Sequence, residues 1–116
     1  MDIESLRMYC LAKKAAKEEF PFGDSTIVFK VKGKMFLAVG LDRKPLQFNV
    51  KSDPEKITEL RERYDAVKPG YHMNKNHWNT VVVDGSIPEK LLREMIDESY
   101  LLIIKSLPKK DQSGLL

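Results

Sequence analysis

The sequence has little of what marks membrane-bound and secreted proteins. Its one cysteine, Cys10, has no partner for a disulfide within the chain, and an unpaired thiol suits a reducing cytoplasm. The longest aliphatic run, residues 101–104, is far shorter than the roughly 20 apolar residues that a membrane helix needs. The first residues also lack the pattern of a secretory signal. We therefore expect a cytoplasmic protein without a membrane segment.

Residue patterns of common enzyme sites are missing too. No serine sits in a glycine-flanked nucleophile elbow, and no Gly-Lys-Ser or Gly-Lys-Thr follows a glycine-rich loop. Cys10 shares a helical stripe with Leu6, so we expect its thiol to be buried and unreactive. His72 and His77 near a carboxylate such as Asp24 form only a weak metal-ligand pattern, because no definite third ligand is present. We expect no enzymatic activity, no cofactor and no bound metal.

The composition is that of an ordinary globular domain. The chain has 116 residues, of which 42% are hydrophobic and 32% are charged. This is too apolar for a disordered chain and too short for more than one typical domain. We expect residues 1–108 to form a single domain and residues 109–116 to form a flexible C-terminal tail.

Hydrophobic periodicity predicts both helices and strands. Spacings of three and four apolar residues predict helices over residues 3–17, 54–64 and 88–107, the last capped by Ser86. Alternation of apolar and polar residues predicts strands over residues 26–31, 34–41, 46–51 and 77–83. The first three strands are joined by short turns and therefore pair antiparallel. The predicted fold is an α+β two-layer sandwich, in which helices cover one face of an antiparallel sheet.

Charge is distributed unevenly along the chain, although the formal net charge is only +3. Residues 30–51 contain six basic residues and one acidic residue, and residues 66–83 contain two lysines and no acid. Residues 52–65 and 84–99 are net acidic. The fold is therefore predicted to present one positive face. A simpler interpretation is that strands and turns carry solvated lysines.

Two candidate binding sites follow from these patterns. Lys30, Lys32 and Lys34 surround the turn at Gly33, and with Lys75 they would suit contacts to the phosphates of DNA. The alternative is a module that binds a small ligand or a protein in a polar cleft. The residues predicted to form that cleft are Phe22, Asp24, Tyr71, His72, Asn74, Lys75, His77 and Trp78.

Several motifs resemble the MmcQ/YjbR family of small bacterial proteins over residues 6–110. The most specific is the run Tyr-His-Met-Asn-Lys-Asn-His-Trp-Asn at residues 71–79. The others are Glu-Phe-Pro-Phe-Gly-Asp at residues 19–24, Val-Phe-Lys-Val at residues 28–31 and Lys-Ser-Asp-Pro-Glu at residues 51–55. The resemblance implies a frataxin-like (CyaY-like) sandwich and DNA binding through a double-wing arrangement. Relatives often have a Leu-Pro-Gly turn before the paired glutamates, and its absence here predicts a longer first helix.

Overall fold

The computed structural model describes residues 1–115, which form four helices and six strands. One antiparallel sheet has the strand order β1-β2-β3-β4-β6-β5. The predicted α+β sandwich is confirmed. The elements in chain order are α1 (Ile3–Leu11), β1 (Ala16–Glu19), β2 (Thr26–Val31), β3 (Lys34–Gly40), β4 (Gln47–Lys51), α2 (Pro54–Arg63), β5 (Val67–Pro69), β6 (Trp78–Val82), α3 (Glu89–Lys105) and α4 (Lys109–Gln112).

Alternation along the strands gives the sheet one apolar face, which packs against the helices. Leu37 lies opposite Val50, and Phe48 lies opposite both Val39 on β3 and Val81 on β6, so these side chains share that face. All five are at most 2% exposed. As predicted, this face packs against α1 and α3, whose core residues are Leu6, Cys10, Leu92, Met95, Ile96, Tyr100, Ile103 and Ile104.

The other face of the sheet, which we call the open face, is turned away from this core. Across β2, β3, β4 and β6, the row of residues in register is Val28, Ala38, Asn49 and Thr80. Small and neutral polar side chains therefore occupy the middle of this face. The connections at the ends of the strands decide how much of it contacts solvent.

A β-bulge on β3 adds an aromatic residue to the core. The register between β2 and β3 shifts after Phe29, so Phe36 has no direct partner on β2. The Phe36 ring is fully buried and packs edge-on against Tyr100, with 5.3 Å between ring centroids. Ser99 of α3 satisfies the backbone nearby, because its Oγ donates to the Phe36 carbonyl at 2.5 Å and accepts from the Lys51 N–H at 2.8 Å.

The first helix is shorter than predicted, and the expectation of a long helix up to Lys17 is wrong. α1 ends at Leu11, Ala15 has a φ of 61°, and the next four residues pair with β2 as the edge strand β1. The Lys-Ala run favours a helix by propensity, but tertiary contacts outweigh that preference. Lys13 pairs with Asp97 of α3 at 2.5 Å, so the segment between α1 and β1 is tied to α3.

Two further differences concern the last helix and the segment after it. Ser86 does not cap α3, because Pro88 is the N-cap residue and the Ser86 hydroxyl donates to Asp84 at 2.6 Å. Within the predicted tail, Gln112 of α4 donates from Nε2 to the Leu107 carbonyl at 2.8 Å. The flexibility of the tail stays a prediction, and Leu116 lies outside the described residues. None of the helices in residues 1–115 has the length and apolar character needed to cross a membrane.

Candidate functional site on the open face of the sheet

A groove of about 580 Å³ crosses the open face. Its floor consists of strand residues, among them Ala38, Gln47, Asn49 and Thr80. Its rim is formed by the loops that follow β1, β3 and β5. These loops contribute Phe22, Arg43, Tyr71, His72 and Met73. Within the described residues 1–115, no carboxylate lines the groove, and the Lys or Arg side chain that lines it is Arg43.

The loop of residues 70–77 joins β5 to β6 and forms one wall of the groove. Gly70 lies so close to Trp78 that a Cβ added at Gly70 would sit 2.9 Å from the Trp78 Cβ and 2.9 Å from its carbonyl oxygen. The Gly70 N–H donates to that carbonyl at 2.9 Å. A glycine is required here because a larger residue would force the two ends of the loop apart.

Hydrogen bonds within this loop give it a defined shape. The Asn74 Oδ1 accepts from the Asn76 N–H at 2.9 Å, and the Asn74 carbonyl accepts from the Trp78 N–H at 2.9 Å. Arg61 of α2 donates to the Trp78 carbonyl at 3.0 Å and to the Lys75 carbonyl. The loop is therefore organised before any ligand arrives, which lowers the entropy cost of binding.

A second set of hydrogen bonds ties the loop to the floor of the groove. The Thr80 hydroxyl accepts from the Tyr71 N–H at 2.9 Å and donates to the Asn49 Oδ1 at 2.5 Å. The Asn49 amide completes the network by donating to the Tyr71 carbonyl at 3.4 Å. This network fixes the backbone of Tyr71 above the sheet and leaves its ring at the rim.

Aromatic rings at the rim remain accessible. Phe22 is 74% exposed and Tyr71 is 57% exposed, although both line the groove. The Arg43 guanidinium carbon lies 5.5 Å from the centroid of the Tyr71 ring, and the His72 ring lies 4.1 Å from the same centroid. The rim thus offers flat apolar surfaces beside a cation, an arrangement that suits planar and anionic groups.

The four lysines of the predicted DNA-binding set differ in their surroundings. Lys30 lies on the open face and pairs with Glu19 at 3.1 Å. Lys32 and Lys34 are exposed at the β2–β3 turn, where Lys32 has a φ of 50°. Lys75 is exposed in the 70–77 loop. Strand directions place that turn and that loop at the same end of the sheet, so Lys32, Lys34 and Lys75 share one end.

The predicted polar cleft is only partly assembled by the structure. Phe22, Tyr71 and His72 line the groove, whereas Asp24, Asn74, Lys75, His77 and Trp78 do not. The Asn74 groups hold the loop together, and the His77 carbonyl accepts from the Ser52 N–H at 2.8 Å. Within residues 1–115, no three His, Cys, Asp or Glu side chains are grouped so as to hold a metal ion.

Sequence reasoning did not include Arg43, Gln47, Asn49 and Thr80 among the candidate residues. Gln47 and Asn49 belong to the polar half of β4, which alternation had already assigned to the face away from the core. That signal marks the side of the sheet on which a residue lies. It carries no information about the loops that fold over that side.

On the helix face, the titratable groups have a structural role. Cys10 is fully buried, as predicted, and burial raises the pKa of its thiol to about 12. Burial, together with a hydrogen bond to Asp97, also raises the pKa of Tyr9 to about 12. Both groups are therefore protonated near neutral pH, and neither reaches the groove.

The fold and the groove define a class of small α+β sandwiches with helices on one face of an antiparallel sheet and a groove on the other, open face. A family model described as YjbR matches residues 11–102. The chain belongs to the YjbR family, which confirms the resemblance found in the sequence.

Relatives and solved structures from several bacteria support this assignment. The uncharacterised protein YbdF of Escherichia coli O157:H7 is 43% identical over 93 residues, which cover 80% of this chain and 76% of that protein. The uncharacterised protein YjbR of Escherichia coli K12 is 31% identical over 116 residues, with 100% and 98% coverage. The crystal structure of Deinococcus radiodurans protein DR2400, with family-model domain DUF419, has a TM-score of 0.92 at 39% identity and covers 97% of this chain and 86% of its own. A Pseudomonas syringae crystal structure has a TM-score of 0.76 at 25% identity, covering 88% and 98%.

Proposed function

We propose that this protein binds nucleic acid through the open face of its sheet. The observation that carries the proposal is the uneven distribution of charge along the chain: basic residues are concentrated in the segments from the end of β2 to β6, although β1 adds Glu18 and Glu19 to the sheet. The sheet segments of residues 30–51 and 66–83 hold eight basic residues and one acidic residue, whereas the α2 segment and the start of α3 are net acidic. A polyanion is attracted to the first surface and repelled by the second.

The positive charges at the β2–β3 turn are the least offset by neighbouring carboxylates. Lys32 and Lys34 are exposed, and no carboxylate among residues 1–115 lies within 4.0 Å of either ammonium group. By contrast, the charge of Lys30 is partly offset by Glu19. Lys32 and Lys34 therefore have the most to gain from a phosphate. Because lysines recognise phosphates rather than base edges, binding through them is largely independent of sequence.

A salt titration tests the electrostatic part of the proposal. With about three to four phosphates neutralised, affinity is expected to fall roughly 40- to 150-fold for a labelled duplex and roughly 20- to 50-fold for a labelled single strand between about 50 and about 200 mM salt. Fluorescence anisotropy measures this directly. A dissociation constant that does not change with salt would contradict binding through phosphates.

A charge-reversal pair assigns the binding to the β2–β3 turn. The Lys32→Glu/Lys34→Glu variant is expected to weaken binding at least about tenfold and to lower the slope of log affinity against log salt by about two. Lys30 is left unchanged because a carboxylate there would face Glu19. The matched control is Lys109→Glu/Lys110→Glu, which makes the same change of charge in exposed residues of α4. Equal losses in both variants would assign the effect to net charge instead of to the open face.

The groove also supports a second candidate, a small ligand or a protein partner. Its volume of about 580 Å³ is within the range of sites that take small molecules. If the unmodified protein shows no binding to any oligonucleotide at low salt and micromolar concentration, the nucleic-acid proposal fails. The groove would then be tested as a ligand site.

A further inference from the structure

We infer that the groove holds an unstacked base of single-stranded nucleic acid, with the base lying on the Phe22 ring and Arg43 contacting a neighbouring phosphate. This inference rests on the proposed function and adds to it the form of the nucleic acid. Lysines at the β2–β3 turn attract any polyanion. A base inside a duplex is stacked between its neighbours, so it cannot lie on the aromatic rings at the rim of the groove.

The exposed rings argue for stacking. The Phe22 side chain is 74% exposed while it lines a concave site, so most of the ring surface is free to accept a planar group. Tyr71, 57% exposed, stands on the 70–77 loop, which is held in place by the Thr80 and Asn49 hydrogen bonds. Bases stack on such platforms with little dependence on sequence, since every base has a π-face.

The charges around the rings argue for a nucleotide rather than a neutral aromatic ligand. Arg43 lies over the Tyr71 ring at 5.5 Å, so its planar guanidinium is held at the rim, and no carboxylate of residues 1–115 pairs with it. Among residues 1–115, no carboxylate lines the groove to oppose a phosphate. The floor adds Gln47, whose side-chain amide has no hydrogen-bond partner within residues 1–115 and is suited to a base edge.

The extent of the basic surface argues for a strand instead of a single nucleotide. Arg43 follows β3, whereas Lys32 precedes it and Lys34 is its first residue, so positive charge lies at both ends of this strand. The seven residues of β3 span roughly 23 Å at about 3.3 Å per residue. One phosphate cannot contact both ends, but consecutive phosphates of a strand that crosses the groove can.

The test compares a strand that has bases with a strand that has none. Anisotropy is measured with a labelled oligothymidine of about twelve nucleotides, within the range of site sizes of single-strand binding folds, and with an abasic deoxyribose-phosphate strand of equal length and charge. The variant is Phe22→Ala. The matched control is Phe20→Ala, which removes an exposed phenylalanine from the same loop but outside the groove.

Stacking predicts a selective loss. Phe22→Ala is expected to weaken oligothymidine binding about 5- to 150-fold, to leave binding of the abasic strand unchanged, and to differ clearly from Phe20→Ala. The unmodified protein is expected to bind oligothymidine more tightly than a duplex with the same number of phosphates. Circular dichroism and thermal melting verify that each variant is folded.

The outcomes separate this inference from the proposed function. If Phe22→Ala binds oligothymidine as the unmodified protein does, while Lys32→Glu/Lys34→Glu still weakens binding, the stacking inference is overturned and the nucleic-acid proposal stands. If neither strand binds, the stacking inference fails, and if the duplex does not bind either, the nucleic-acid proposal fails as well. If free thymidine monophosphate displaces the oligomer at concentrations equal to those of the oligomer itself, the occupant is a mononucleotide and the strand is ruled out.

Discussion

The two faces of one sheet differ in almost every physical respect. On the helix face, Phe29, Phe36 and Leu37 are fully buried against α3 and its neighbours. On the open face, the same strands present Ala38, Asn49 and Gln47 to a groove. Alternation with a period of two is the reason that neighbouring residues of one strand have such different surroundings. The free energy of folding comes mainly from one face, which leaves the other available for binding.

Polar groups show the same contrast. The Ser99 hydroxyl on the helix side is fully buried, and it both donates and accepts. On the open face, the Asn49 and Thr80 side chains bond to one another and to the Tyr71 backbone, but the Gln47 amide faces the groove without a protein partner in residues 1–115. Unmatched polar groups are costly in a core and useful at a binding surface. Changes on the two faces should therefore affect different measurements.

The largest expected effect is on the helix face, at the bulge. Phe36→Ala removes a fully buried ring that packs edge-on against Tyr100, and the rigid sheet around it is expected to collapse only partly into the space. We expect the free energy of unfolding to fall by about 3–5 kcal/mol, measured by urea denaturation. A fall of less than about 1 kcal/mol would mean that the core around the bulge repacks freely.

Ser99→Ala is expected to have the next largest effect. The substitution leaves the Phe36 carbonyl and the Lys51 N–H without their partner in a buried site. The expected loss is about 1–3 kcal/mol in the free energy of unfolding, again from urea denaturation. Ser25→Ala is the control, because Ser25 is exposed in a loop and its loss is expected to stay within about 0.5 kcal/mol.

Raising the pH from about 9 to about 10 is expected to have a smaller effect, and it too comes from the helix face. The pKa values of Cys10 and Tyr9 are raised to about 12, from ordinary values of 9.0 and 10.0. The folded chain therefore binds protons more tightly than the unfolded chain above about pH 9. Stability is expected to be unaffected by these groups below pH 9 and to fall between pH 9 and 12, by at most about 1.4 kcal/mol per pH unit and group.

Denaturation curves at several alkaline pH values measure this loss. Burial also raises the pKa of Tyr100, so Tyr9→Phe removes one of three such groups, and its stability should decline less steeply above about pH 10 than that of the unmodified protein. An equal slope in both proteins would show that Tyr9 titrates normally in the folded state.

The two faces also differ in how much of their structure the sequence predicts. The period-two pattern of Ile27, Phe29, Leu37 and Val39 predicts the helix face, because burial of alternate residues is a local property of a strand. The sequence pattern does not predict where α1 ends, because that point depends on two long-range interactions. These are the contact between Lys13 and Asp97 and the pairing of β1 with β2.

The groove depends more on long-range geometry than the helix face does, so the sequence predicts less of it. Alternation places Asn49 on the open face, but Arg43 reaches the Tyr71 ring only through the course of the turn after β3. Phe22 and Tyr71 are about fifty residues apart in the sequence, and no local pattern brings them to one groove. The motifs that resemble the MmcQ/YjbR family include both residues. The residues that form the groove floor between them are identified only from the folded sheet.

The smallest expected effect on stability is that of Phe22→Ala, and this variant compares the two faces most directly. Phe22→Ala removes the same side chain as Phe36→Ala, but the ring is 74% exposed instead of fully buried. Little apolar surface returns to water, so the free energy of unfolding is expected to change by no more than about 0.5 kcal/mol. Urea denaturation of the two variants side by side gives the contrast. If Phe22→Ala destabilised the fold by as much as Ser99→Ala, the Phe22 ring would be part of the core, and a loss of binding in that variant would no longer report on stacking in the groove.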